Sequence, residues 1–257
     1  MKRHIIPNYL LNPSHPVTVN LIGCGGTGSQ VLTCLGRINH SLKQLGHPGF
    51  HVITYDADMV SRSNIGRQLF PADDMGLNKA LVLTSRINRF FGTAWEAVPE
   101  FFTRESAVSS NITICCVDVL ESRLEIEKIM KKFAKTHRNN EPYLCPYYLL
   151  DFGNTVDSGQ VVLGTLTELE QPASKKFETV SRLPLFSERF DISKINEKDS
   201  GPSCSLAEAL KKQNLFINSS LAQLGCDLLW RMFSEGMLDR SGLFLNLRWM
   251  NMNPVYL

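Results

Sequence analysis

The chain has 257 residues and a formal net charge of +2, the difference between 27 basic and 25 acidic side chains. So small a charge generates no field that would attract a polyanion, and we therefore expect no nucleic-acid partner. No stretch reaches the roughly 18 apolar residues that a membrane span needs, and the apolar run after Lys2 and Arg3 is too short for a secretory signal. We expect a cytoplasmic protein with no membrane contact, whose length fits one large α/β domain or two small ones.

The seven cysteines include no C-x-x-C pair, and their number is odd. Several lie inside apolar runs. This usage predicts reduced thiols rather than disulfides. It also argues against a structural zinc site, which usually draws on closely spaced cysteine pairs.

Strand and helix patterns alternate through the first 150 residues. Because such alternation is typical of strands joined by crossover helices, it predicts a parallel, doubly wound sheet. The predicted elements are a strand at 17–23, a helix to about 38, strands at 51–56, 95–99 and 112–117, and helices at 76–90 and 120–133.

The pattern changes after residue 147. Two consecutive strands, 147–152 and 160–166, have no helix between them, which indicates that the sheet turns antiparallel. Residues 167–204 are polar and rich in proline, with no sustained period, and we interpret them as a long crossing loop. Structureless loops of this length are uncommon inside a compact domain and usually have a function.

A helix and strands close the chain. Ser205 and Glu208 form an S-x-x-E capping box, which predicts a helix start. Apolar residues at helical spacing predict a further helix over 219–235, ended by Gly236. Strand-like segments follow at 243–249 and 255–257.

A glycine-rich turn follows the first predicted strand. Gly23, Gly25 and Gly28 form G-x-G-x-x-G, with Gly26 inside it, between a strand and a helix. Side chains here would keep a phosphate away from the backbone N–H groups at the positive helix end. The motif alone fits nicotinamide, flavin or adenylate binding equally well, and a tight turn with only a structural role would also need it.

The second predicted strand ends in two acidic residues, Asp56 and Asp58, where dinucleotide-binding folds use one carboxylate for the ribose. The chain continues as M-V-S-R-S-N-I-G-R-Q over residues 59–68. A hydride-transfer enzyme has no need of that string.

These residues resemble a known family, the ubiquitin-activating-like ThiF/MoeB/HesA adenylating enzymes, whose hallmark is D-x-D-x-V-x-x-S-N-L-x-R-Q. The chain matches it with Ile65 in place of leucine. Lys79, in the first turn of the next predicted helix, and Asp118, at the end of a predicted strand, recur at the family's distances. The region 204–230 looks most like the ThiF-family members of bacterial PRTRC gene clusters.

The resemblance implies a Rossmann-like fold that forms a single ThiF-type adenylation domain over 1–257, with a site for ATP and Mg²⁺. Attack of a carboxylate on a phosphate brings negative charges together, so cations and positioning would supply most of the catalysis. The implied roles are ribose binding by Asp58, shaping of the phosphate pocket by Asn64 and Gln68, phosphate binding by Arg67 and Lys79, and Mg²⁺ positioning by Asp118. Taken singly, Arg67 and Lys79 could be surface cations, Asp118 a helix N-cap, and Asp56 a purely structural carboxylate.

A second motif is P-S-C-S at residues 202–205, which resembles the P-x-C-[ST] transfer-cysteine motif of family members that form a thioester. Cys204 lies just before a predicted helix start, where a thiol pKa falls and a thiolate nucleophile is favoured. Glu208 in the same first turn opposes that effect. The alternative is a small buried apolar residue.

The resemblance therefore implies an adenylyltransferase that activates the C-terminal carboxylate of a ubiquitin-like or sulfur-carrier-like protein and passes the acyl group to Cys204. Three alternatives stay open: adenylation without a covalent cysteine step, a nicotinamide-dependent oxidoreductase resting on the glycine turn alone, and a non-catalytic scaffold. The family further implies a homodimer and a conjugating-enzyme-like protein as a further partner. In several homodimeric members an N-terminal arginine reaches the partner subunit's ATP; here only Arg3 is available, in a short lead without the usual helix, and we do not assign it that role. No ubiquitin-fold tail domain is visible.

Overall fold

A computed structural model describes residues 2–137, 141–194 and 213–257. Strands and helices are numbered here in chain order. The strands are β1 (Lys2–Ile5), β2 (Val17–Ile22), β3 (Phe50–Tyr55), β4 (Glu96–Val98), β5 (Ile112–Cys115), β6 (Tyr148–Asn154), β7 (Ser158–Thr165), β8 (Glu178–Thr179), β9 (Met237–Leu238), β10 (Arg240–Asn246) and β11 (Asn251–Tyr256). The helices are α1 (Asn8–Leu11), α2 (Gly26–Gln44), α3 (Lys79–Phe91), α4 (Leu120–Thr136), α5 (Phe186–Arg189) and α6 (Ile217–Glu235).

An eight-stranded sheet runs through the molecule in the order β11-β10-β7-β6-β5-β2-β3-β4. The five strands from β4 to β6 pair in parallel. The other three pair antiparallel, beginning with β7 against β6. The prediction of a Rossmann-like sheet that is parallel in the N-terminal half and antiparallel toward the C-terminus is therefore confirmed.

Helices cover both faces of this sheet. On one face, Leu32 of α2 and Leu221 of α6 belong to the same apolar cluster as Val19 of β2. On the other face, Met130 of α4 packs in a second cluster with Ile22, at the end of β2. Because both faces are covered, the central strands are mostly buried, as their apolar runs predict. Within the described ranges, no helix is both long and apolar enough to cross a membrane.

Several boundaries differ from the predicted ones. Helix α2 runs to Gln44, past the predicted end near residue 38, because its last turns still bury Leu42. Helix α3 starts at Lys79 rather than at 76, because the side chain of Asn78 caps it by accepting a hydrogen bond from the Leu81 N–H at 3.1 Å. Strand β10 ends at Asn246, three residues before the predicted end.

The predicted crossing loop is not structureless in its described part. It contains β8 and the one-turn helix α5 before residue 194. For residues 167–194, this corrects the expectation that the crossing loop 167–204 lacks elements of its own. The remainder of the loop, together with the predicted helix start at Ser205 and Glu208, lies outside the described residues.

The N-terminal segment forms a small second sheet that the sequence pattern did not predict. Strand β1 pairs in parallel with β8 and antiparallel with β9, in the order β8-β1-β9. His4 on β1 is fully buried, with Nδ1 at 2.6 Å from the Val180 carbonyl oxygen and Nε2 at 2.7 Å from the Tyr148 hydroxyl. A carbonyl only accepts, so Nδ1 carries the hydrogen. The Tyr148 hydroxyl can donate or accept, and burial favours the neutral imidazole, in which Nε2 accepts from Tyr148.

This arrangement predicts a pH-dependent contribution to stability. Burial lowers the pKa of His4 below its usual 6.5. Below pH 6.5 the unfolded chain therefore binds a proton at His4 more readily than the folded chain does. The contribution of His4 to the unfolding free energy is complete above pH 6.5 and is lost as the pH falls through the lowered pKa of the folded state. Urea unfolding should show that the difference in unfolding free energy between wild type and the non-titrating variant His4→Gln shrinks below that pH, by at most about 1.4 kcal/mol per pH unit. A difference that stays constant from pH 7 to pH 5 would contradict the assignment.

Candidate functional site

A cleft of about 720 Å³ opens at the carboxyl ends of β2 and β5. The chain leaves β2 to build β3 and β4 on one side, and returns to place β5 and β6 on the other. The loops that follow β2 and β5 therefore lead to opposite sides of the sheet and leave a crevice between them. Open α/β sheets bind their ligands in such a crevice.

The glycine turn forms one wall of the cleft. Gly23 has φ of +87°, and a Cβ on it would lie 3.0 Å from the Cys116 backbone. A Cβ on Gly28 would lie 1.8 Å from the Gly23 carbonyl oxygen, so the first turn of α2 rests directly on the end of β2. Gly25, by contrast, has open space beside it, its nearest neighbour being the Gln68 side chain at 3.9 Å. The turn thus leaves the backbone at the helix start accessible to a ligand, as the motif predicts.

Asp56 holds this turn in place. One carboxylate oxygen accepts the Cys24 N–H at 2.6 Å, and the other accepts the Asp58 N–H at 2.8 Å. Burial raises the pKa of Asp56, and its two N–H donors oppose that rise. Its side chain lines the cleft, but its oxygens are engaged by the backbone, which favours the structural interpretation of this residue.

Asp58 and Lys79 form an ion pair at the rim. The Lys79 Nζ lies 2.7 Å from an Asp58 carboxylate oxygen, and the exposed fractions of the two side chains are 9% and 61%. Asn78 positions the pair, since its Nδ2 donates to the backbone oxygens of Asp56 and Asp58. A buried ammonium thus faces the cleft beside a carboxylate that remains accessible.

Arg67 and Gln68 form the cleft wall beside the glycine turn. Burial lowers the pKa of the Arg67 guanidinium, and the charge of Asp118 opposes that shift. Its Nε and the Gln68 Oε1 are buried polar atoms without a hydrogen-bond partner in the described chain. Buried polar atoms of this kind cost free energy unless a ligand or water satisfies them.

Asn64 supports this wall from behind. Its side-chain oxygen accepts the Ser61 N–H at 2.8 Å, and its carbonyl accepts the Gln68 N–H at 2.9 Å. The side chain is buried and does not line the cleft. Asn64 therefore shapes the loop that carries Arg67 and Gln68 rather than facing a ligand.

Asp118 lies across the cleft, in the turn between β5 and α4. Its side chain is exposed, and it has no hydrogen-bond or ion-pair partner within residues 2–137, 141–194 and 213–257. In the described ranges, no group of three or more His, Cys, Asp or Glu residues is placed to hold a metal ion. Mg²⁺ commonly keeps several waters and takes one or two carboxylates together with substrate phosphates, so a single free carboxylate is compatible with it.

Sequence reasoning missed several residues of the cleft. Its apolar floor contains Tyr55, Phe102 and Ile126, which offer a surface suited to a flat aromatic group. Asn218 accepts a hydrogen bond from Thr27 and donates one to Gln213, and both amides line the cleft. No local signal could have found them, because Thr27 and Asn218 are 191 residues apart.

A buried ion pair holds the turn that carries Asp118. Arg123 donates through Nη1 to Asp151 at 2.9 Å and through Nη2 to the Val117 carbonyl at 3.0 Å. Burial raises the pKa of Asp151 to about 6, against the opposing charge of Arg123. Because Val117 directly precedes Asp118, the hydrogen bond from Arg123 to the Val117 carbonyl fixes the backbone position of Asp118.

Of the remaining predicted residues that the structure describes, Gly28 and Arg3 do not line the cleft. Gly28 is needed for packing. Cys204 lies outside the described residues. Arg3 forms an ion pair with Asp239 at 3.2 Å, on the small N-terminal sheet. Cys116, which directly follows β5, lines the cleft.

The profile of the family described as "ThiF family" matches residues 14–252. Among curated proteins, none matches this chain. The solved structure of PaaA superposes with a TM-score of 0.58 at 16% identity, covering 93% of this chain and 64% of PaaA. That of Escherichia coli MccB gives 0.59 at 17% identity, covering 97% of this chain and 63% of MccB. At such identities these likenesses establish the fold, and the chain spans less than two thirds of either protein. E. coli MccB has also been solved with ATP, and with AMPCPP and MccA.

Breaking the Arg123–Asp151 pair should be costly. Arg123→Met leaves Asp151 buried and unpaired, which should lower the unfolding free energy by about 3–5 kcal/mol in chemical denaturation. The double variant Arg123→Met/Asp151→Leu removes both charges and should recover part of that loss. Additive losses would show that the two side chains do not act as a pair.

Proposed function

This chain belongs to the ThiF family, and from that membership together with the cleft we propose that it adenylates the C-terminal carboxylate of a partner protein with Mg-ATP. The partner class is a ubiquitin-like or sulfur-carrier-like protein. The enzyme would be a cytoplasmic adenylyltransferase whose single adenylation domain extends over 1–257.

One observation carries the proposal: two cationic side chains with few competing partners line a cleft whose glycine turn is open beside Gly25 and whose floor is apolar. Arg67 lacks a carboxylate partner at ion-pair distance in the described part of the chain, and Lys79 has Asp58 alone. A nucleotide matches this layout, because its phosphates need cations and N–H groups while its base needs an apolar surface. A hydride-transfer enzyme would not need the paired cations.

The roles follow from position. Asp58, exposed at the rim, would accept the ribose hydroxyls, and Lys79 and Arg67 would bind phosphate oxygens beside Gly25 and Gly26. Asp118 would hold Mg²⁺ together with the phosphates, and the ion would neutralise charge at the reacting phosphorus when bound. The protein's own task is to bring the attacking carboxylate and the α-phosphate together, with the cations already in place when charge develops.

The structural neighbours support this proposal by analogy. E. coli MccB, with the same fold, has been solved with ATP. It has also been solved with AMPCPP together with MccA. We propose that the present chain likewise binds a nucleotide and a partner polypeptide in one cleft. We further propose a homodimer, a conjugating-enzyme-like protein as a later partner, and the PRTRC-type ThiF proteins as the nearest subgroup.

Pyrophosphate exchange tests the adenylation step. With Mg-ATP and a candidate partner, Lys79→Ala and Asp118→Ala should each lower the exchange rate about 100-fold, because each removes charge stabilisation of the transition state. Lys43→Ala is the matched control: it removes an exposed lysine near the far end of α2 and should leave the rate unchanged. Exchange by Asp118→Ala equal to that of wild type would contradict the proposed role of this carboxylate.

We also propose that the acyl group passes from the adenylate to Cys204. The thiolate would attack the acyl carbon, forming a thioester and releasing AMP, and the thiol proton would leave to solvent. The wild-type chain should therefore form an adduct with the partner that thiols cleave, and Cys204→Ala should form none while keeping pyrophosphate exchange. Denaturing electrophoresis with and without thiol measures it. An adduct that persists in Cys204→Ala would contradict the transfer step, and exchange without any adduct in wild type would favour adenylation alone.

A further inference from the structure

Two N–H donors in the cleft converge on one oxygen atom that belongs to the protein itself. Arg67 Nη1 lies 2.7 Å from Gln213 Oε1, and Asn218 Nδ2 lies 3.0 Å from the same atom. These are ordinary hydrogen-bond lengths, and both donors lie at the wall opened by the glycine turn.

The partners fix which atom of each amide is where. A guanidinium has donors only, so the Gln213 atom that faces Arg67 is its oxygen. Asn218 in turn accepts the Thr27 hydroxyl through Oδ1 at 2.9 Å, which directs its NH₂ toward Gln213. The amide orientations therefore follow from the network itself.

The position that Gln213 Oε1 occupies is suited to a negatively charged oxygen. Asn218 approaches Gly26, the first residue of α2, so closely that a Cβ there would lie 2.6 Å from Nδ2. The N-terminus of this 19-residue helix favours anions. The neighbouring Arg67 Nε is buried and without a partner in the described residues. A neutral amide oxygen thus occupies a place where a charged one would bind more strongly.

We propose that Arg67 and Asn218 form an oxyanion site for the substrate, and that the Gln213 side chain occupies it while the substrate is absent. The inference rests on the proposed function and names a specific site within it. The oxyanion is either a phosphate oxygen of ATP beyond the α-phosphate or an oxygen of the partner's C-terminal carboxylate. Asn218 stays in place because it is buried in the first turn of α6, whereas Gln213 precedes that helix and can move away without disturbing it.

Calorimetric titration of the full chain with ATP, pyrophosphate and AMP tests the proposal. Gln213→Glu places a tethered carboxylate in the site and should weaken ATP binding about tenfold or more. Asn218→Asp replaces a donor by a like charge and should do the same. Gln213→Ala removes the internal occupant and should bind ATP as tightly as wild type, or more tightly.

The matched control is Gln223→Glu, which introduces the same charge on an exposed position of α6 and should change nothing. Thermal unfolding of each variant checks its fold. If Asn218→Asp does not fold, the three Gln213 and Gln223 variants still decide the question, since Gln213 lies outside the helix.

The probes distinguish the two sources of the oxyanion. If Gln213→Glu binds ATP and pyrophosphate more weakly than wild type and binds AMP equally well, the oxyanion is a phosphate oxygen. Unchanged ATP binding, with about a tenfold higher KM for a peptide ending in a free glycine and an unchanged kcat, identifies the carboxylate. If wild type binds ATP and Gln213→Glu binds every probe as wild type does, the oxyanion site is wrong and the proposed function survives. If wild type binds neither ATP nor pyrophosphate, the proposed function fails and this site fails with it.

Discussion

The contact between the first turn of α2 and the end of β2 determines the geometry of everything around it. No atom fits between Gly28 and the Gly23 carbonyl, so the helix starts directly above the strand end. Because β2 also lies at the centre of the parallel strands, this contact sets where the loops after β3 and β5 can pass. Asp56 then ties the loop after β3 to the Cys24 N–H, which makes the two walls of the cleft one unit.

The charged side chains of the cleft have few hydrogen-bond or ion-pair partners, and Arg67 is paired with a neutral amide. Arg67 bonds to an amide, and Asp118 faces solvent, while the strongly buried carboxylate of Asp151 is placed behind the site and paired with Arg123. Desolvated cations are costly, and the surrounding backbone must hold them there. Because the backbone already holds these cations in position, little reorganisation is needed when a negatively charged ligand binds. This is the general advantage of a preformed polar site.

The sequence allowed the sheet, its change of direction and most of the cleft to be predicted, because these depend on local patterns. Apolar runs followed by glycines or carboxylates located β2, β3 and β5, and the string from Asp56 to Gln68 located two walls. What failed depends on distant contacts. The strands β1, β8 and β9 are two to four residues long and carry too short a pattern to read. Gln213 and Asn218 join the site only through folding.

The small sheet around β1 has a consequence for the order of assembly. Its central strand comes first in the chain, but Val180, which accepts from the His4 ring, lies 176 residues later. Leu238, the strand partner of His4, lies later still. Contacts so distant in sequence close slowly, and during synthesis they must wait for nearly the whole chain to emerge. Until residues near 238 have emerged, His4 lacks the strand partner that completes the small sheet, so the first strand of the chain reaches its final environment late.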